Sequence, residues 1–97
     1  MLRILKVTGS SLHPEFQDGD FVLLGTCAGT LSRVRPGDVV VFHNAEYGTL
    51  IKRITHIEED DVHVRGTQVD SVDSRRLGPI PRPDLRGKVL WHIRKPR

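Results

Sequence analysis

The sequence has one cysteine, Cys27, so it holds no internal disulfide, and neither a CxxC pair nor a Cys/His zinc pattern can be written in it. That scarcity points to a reducing compartment. Long hydrophobic runs are missing as well. Nothing approaches the roughly 18 consecutive apolar residues of a membrane span, and Met1-Leu2-Arg3-Ile4-Leu5-Lys6-Val7 lacks the extended apolar stretch of a signal peptide. The expectation is a cytoplasmic chain without a membrane span, membrane-associated only if it is a shortened form of an anchored enzyme. Aromatic residues make up 5% of the chain, and Trp91 is the one tryptophan, too little for a stacking platform along a nucleic-acid strand. There is no internal repeat and no low-complexity tract. Ninety-seven residues suffice for one domain, 1–97, and in so small a unit any site must share strands with the core.

Charge is unevenly placed. From Arg75 to Arg97 there are eight basic residues and one acid, Asp84, whereas the first 74 residues carry seven basic against eleven acidic side chains, a net of −4. A nucleic-acid surface would use Arg82, Arg86, Lys88, Arg94 and Lys95. Because these charges are spread through a proline-rich stretch, a solvated basic edge with no nucleic-acid partner is the better reading.

The apolar runs are short, β-branched and bounded by turn residues, the pattern of strands and not of long helices. Strands are expected at Arg3–Thr8, Asp20–Gly25, Asp38–His43, Thr49–Ile57, Asp61–Arg65 and Lys88–Arg94. Gly19-Asp20 and Gly37-Asp38 each read as a turn into a strand, glycine permitting the tight backbone and aspartate bonding nearby amides. Gly66–Gly87, with three prolines, three glycines and four arginines, reads as an irregular functional loop. The fold class is all-β.

Chemistry has few places to sit. Val7-Thr8-Gly9-Ser10-Ser11-Leu12-His13-Pro14 ends a strand in a small-residue turn that would expose a hydroxyl nucleophile. In Leu50-Ile51-Lys52-Arg53-Ile54, strand alternation puts Lys52 on one face with Leu50 and Ile54, and Arg53 on the other with Ile51 and Thr55. A lysine desolvated among apolar neighbours loses its preference for the charged form and becomes a base near neutral pH. A neutral amine can activate a serine without any histidine or aspartate. In Ser71-Val72-Asp73-Ser74-Arg75 a hydroxyl would orient the lysine, and Asp73 would pair with Arg75 or Arg53.

The order of these pieces resembles the type I signal peptidase superfamily. It runs Gly9-Ser10-Ser11-Leu12-His13-Pro14, Gly19-Asp20, Gly37-Asp38-Val39-Val40-Val41-Phe42, Ile51-Lys52-Arg53, and Ser71-Val72-Asp73-Ser74-Arg75 with Gly78, in register from about Val7 to Gly87. The resemblance implies coiled, mostly antiparallel sheets forming a partly open barrel, in a minimal version without the inserted β-rich domain. It implies a serine endopeptidase with Ser11 as nucleophile, Lys52 as general base and Ser71 holding the lysine. Asp73, Arg75 and Arg53 would form an ion-pair network. The Ser11 backbone N–H, with Ser10, would serve the oxyanion. Leu12 stands where the family usually has Met, and Gly66-Thr67-Gln68 where it usually has Gly-Asp-Asn. The compact length and Asp73-Ser74-Arg75-Arg76-Leu77-Gly78-Pro79-Ile80 look similar to small members of the superfamily that mature nickel-containing superoxide dismutase. A protein precursor or peptide is then the partner, with no cofactor and no metal.

Two rivals stand beside this reading. Five histidines, His13, His43, His56, His63 and His92, invite a metal, but no close ligand pair is visible in their spacing. His56 is expected to share the Lys52 face, about 13 Å further along the strand, too far for both to reach Ser11. The second rival is a catalytically inactive peptide-binding module on the same fold, which would keep its partner when Ser11 is replaced by alanine.

Overall fold

The computed structural model describes residues 1–7, 16–45, 48–65 and 79–96. Ser10, Ser11, Ser71, Asp73 and Arg75 lie outside the described residues, as does the Gly66-Thr67-Gln68 segment. Among the described residues seven strands form one antiparallel sheet: β1 (Leu2–Lys6), β2 (Phe21–Gly25), β3 (Val39–Asn44), β4 (Gly48–Glu58), β5 (Asp61–Arg65), β6 (Ile80–Pro81) and β7 (Leu85–Ile93). Their order across the sheet is β1-β2-β7-β3-β4-β5-β6, with no pairing of β1 to β6, so the sheet is open and the all-β expectation holds. Among the described residues, helix is confined to one turn, α1 (Ala28–Leu31), and a 3-10 turn at Arg82–Asp84.

Both faces of the sheet carry core. One cluster gathers Val40, Phe42, Leu50, Ile54, Val62, Val64, Ile80 and Leu85, with Val34. The other gathers Val7, Phe16, Val22, Leu24, Val39, Val41 and Ile51. Consecutive residues point to opposite faces, so the run Val39-Val40-Val41-Phe42 feeds both clusters and β3 is buried on both sides. The face that holds the first cluster is left open at β1, β2 and β7, where Leu2, Ile4, Phe21, Trp91 and Ile93 are exposed.

Two turns share one design. In Gln17–Asp20 and Arg35–Asp38 the aspartate N–H donates to the carbonyl three residues back, at 3.0 Å in both, and the aspartate carboxylate accepts from that residue's N–H, at 3.1 and 2.9 Å. The glycine between them has φ +93° at Gly19 and +95° at Gly37, a region L side chains avoid. The Gly-Asp dipeptides are therefore the turns the sequence suggested.

The chain departs from expectation after Pro79. The stretch read as irregular through Gly87 contains β6 and the start of β7: Ile80 pairs with Val62 and Leu85 with Phe42, and both are buried. Core contacts with distant strands override a proline-rich local sequence here, and Pro81 is tolerated because β6 is an edge strand.

Candidate active site

Lys52 lies mid-strand in β4, and its strand neighbours on the same face, Leu50 and Ile54, are both buried in the first cluster. Directly across β3 it faces Val40. Lys52 is 1% exposed, drawn inside the core. It is not left without a polar partner, and no buried side-chain nitrogen or oxygen among the described residues is unsatisfied. Lys88 sits on the far side of Val40 in the same lateral row, but it is partly exposed and its Nζ lies 3.5 Å from Asp38 Oδ2. Burial separates the two lysines where sequence alternation alone could not.

Arg53 points to the opposite face, as expected, and its Nη1 donates to the Gly37 carbonyl at 2.8 Å. Gly37 N–H donates to the Ile54 carbonyl and Ile54 N–H to the Asp38 carbonyl, each at 2.8 Å. Arg53 and Ile54 thus fasten β4 to the turn before β3, directly after the lysine. β5 ends at Arg65, paired with Arg53 beside Lys52, and the chain passes from there into the segment carrying Ser71, Asp73 and Arg75. The proposed partnership of Arg53 with Asp73 lies outside the described residues.

The stems of the Ser10-Ser11 segment are held by a residue the sequence reading took for a simple turn former. Asp20 is fully buried. Its Oδ2 accepts from Gln17 N–H at 3.1 Å and lies 2.8 Å from His92 Nε2, and its Oδ1 accepts from Lys95 N–H at 2.8 Å. Its own carbonyl accepts from Val7 N–H at 2.7 Å, and Gly19 N–H donates to the Val7 carbonyl at 2.9 Å. Phe16 stacks on His92 with ring centroids 4.3 Å apart. Val7 and Phe16, the described residues on either side of 8–15, are thereby both fixed to the end of β7. No sequence signal marks this, because His92 and Lys95 lie more than 70 residues away from Asp20.

His56 does not share the Lys52 face. Ile54 pairs with Val64, but His56 pairs with His63, so Thr55 is an extra residue in β4. This bulge reverses the alternation. Ile57, opposite Val62, rejoins the first cluster, and His56 and His63 stack on the other side with centroids 4.1 Å apart.

The described residues thus form an open antiparallel sheet with a lysine enclosed among the apolar side chains of one face and the stems of a serine-bearing segment packed on the other. Residues 1–70 match the family described as Signal peptidase, peptidase S26. Signal peptidase I V of Bacillus subtilis (strain 168) is 30% identical over 71 residues, covering 66% of this chain and 42% of that protein. The chain belongs to the signal peptidase family, peptidase S26. It spans less than half the length of that relative. No helix among the described residues is long and apolar enough to cross a membrane.

Proposed function

We propose that this chain is a serine endopeptidase working through a Ser11–Lys52 dyad, which removes an N-terminal signal-like segment or propeptide from a protein precursor. The observation that carries the proposal is the burial of Lys52, 1% exposed between Leu50 and Ile54. Desolvation disfavours its ammonium form and leaves an amine able to take a proton. In the proposed reaction the Ser11 hydroxyl gives its proton to Lys52 as Oγ bonds to the scissile carbonyl carbon. The C–N bond then breaks, Lys52 returns the proton to the leaving amine, and water releases the acyl group from Ser11 by the same route. The Ser11 backbone N–H, with Ser10, receives the negative charge on the carbonyl oxygen. Ser71 orients the amine, and Asp73, Arg75 and Arg53 brace the segments around it. No metal or cofactor takes part in these steps.

The substrate enters as an extended segment beside an exposed strand, where backbone pairing supplies affinity. An open sheet with edges at β1 and β6 supports that mode. A nickel-type superoxide dismutase precursor is the particular substrate to try first, on the resemblance of the loop motif.

The test is cleavage of a precursor bearing an N-terminal extension, followed by mass spectrometry. Ser11→Ala and Lys52→Met should each abolish turnover, Lys52→Met with the fold retained, while Lys88→Met should keep it. Full activity in Lys52→Met would overturn the dyad.

A further inference from the structure

The bulge at Thr55 builds a second constellation on the opposite side of the sheet from Lys52. With the alternation reversed, His56 and Glu58 share the outer face of β4, and His63 stands directly across on β5. His56 Nε2 and Glu58 Oε1 are 3.3 Å apart, and one ligand atom from each of the three side chains lies within 4.8 Å of the others. The side chains of His56 and Glu58 are 52% and 72% exposed, so an ion can reach them from solvent.

Thr55 decides which histidine nitrogen is turned outward. Its hydroxyl has one hydrogen, which it donates to the His63 carbonyl at 3.1 Å. Towards His56 Nδ1, 3.3 Å away, the same oxygen can then only accept, so Nδ1 carries the ring hydrogen. The Nε2 lone pair of a neutral His56 is left facing the Glu58 carboxylate. In that tautomer two acceptors face each other, an arrangement that a metal ion or a proton between them relieves. A hydrogen-bonded far nitrogen, a carboxylate and a second imidazole form a donor set that suits a borderline divalent ion. Tetrahedral Zn²⁺ with bonds of about 2.0–2.1 Å places its ligand atoms about 3.3 Å apart, the spacing His56 and Glu58 already have. His63 completes the set by a turn of its ring out of the stack. Glu59 and Asp61, flanking in the hairpin, add negative charge that draws a cation in.

We infer that His56, Glu58 and His63 form a binding site for one divalent transition-metal ion of the Zn²⁺ class, separate from Lys52 and clamping β4 to β5. The competing occupant is a proton alone, giving a simple His56–Glu58 ion pair.

The two are separated by titrating the full chain with ZnCl₂ at neutral pH by calorimetry, in a Cys27→Ser background so that the exposed thiol does not contribute. The site requires one saturable ion per chain and a loss of at least tenfold in affinity in each of His56→Gln, Glu58→Gln and His63→Gln, with His43→Gln unchanged. Imidazole nitrogen spectra should show His56 and His63 moving together at one equivalent, in a chain whose amide spectrum stays folded. Absence of saturable binding, affinity unchanged by the three substitutions, or a response from His56 alone would each overturn the site and leave the ion pair. Because Lys52 and Ser11 take no part in this titration, its result is independent of peptidase activity.

Discussion

Lys52 and Lys88 flank Val40 in one lateral row of the sheet, yet one is enclosed by the core and the other leans out to Asp38. The same residue type on the same face therefore has two environments, set by what covers it. Asp20 shows how much one buried carboxylate can hold, since it accepts from Gln17 and Lys95 amides and meets His92. Hydrogen bonds to a charged group contribute about 1.5–3 kcal/mol each, but neighbours in one network do not add. Asp20→Ala should destabilise the chain by about 3 kcal/mol, read from the urea midpoint. On the proposed function it should also lower peptidase turnover, because the stems on either side of Ser10-Ser11 lose their common anchor. An unchanged midpoint would remove Asp20 from that role.

At the level of elements, the two glycine-aspartate turns and the Thr55 bulge decide where side chains go. Gly37 holds φ +95°, which costs an L side chain about 1–2 kcal/mol, whereas Gly29 in α1 has no such backbone and open space where a Cβ would stand. Gly37→Ala is accordingly expected to lower stability by about 1–2 kcal/mol. Gly29→Ala should be neutral or raise it by up to about 1 kcal/mol on helix propensity alone. Thermal melts of the two variants side by side check the contrast, and equal melting temperatures would contradict the turn argument. The bulge matters in a different way, because it turns His56 away from Lys52 and towards Glu58 and His63.

For the whole molecule the decisive strand is the last. β7 pairs with β2 on one side and β3 on the other, so the hairpin of β1 and β2 and the strands from β3 to β6 are joined through it. It also carries His92 to Asp20. A chain ending at Asp84 should lose cooperative unfolding and amide dispersion altogether. A truncated chain that still gave a native-like spectrum would show that β2 and β3 can meet without it.

Much of the fold was legible in the sequence, because short β-branched runs between Gly-Asp and Glu-Asp turns admit few alternatives to antiparallel strands. The candidate base was legible too, since alternation alone puts Lys52 with Leu50 and Ile54. The chain by itself therefore determined the strands up to Arg65, turn placement, the lysine's face and, through its ordered motifs, the peptidase family. Tertiary structure decided which lysine is desolvated, that Asp20 meets His92 and Lys95, that Ile80 and Leu85 belong to strands, and that His56 lies across from His63. Each of these depends on which distant strands become neighbours and where one extra residue shifts the pairing. Local sequence pattern carries the period of a strand, but neither its partner nor its register.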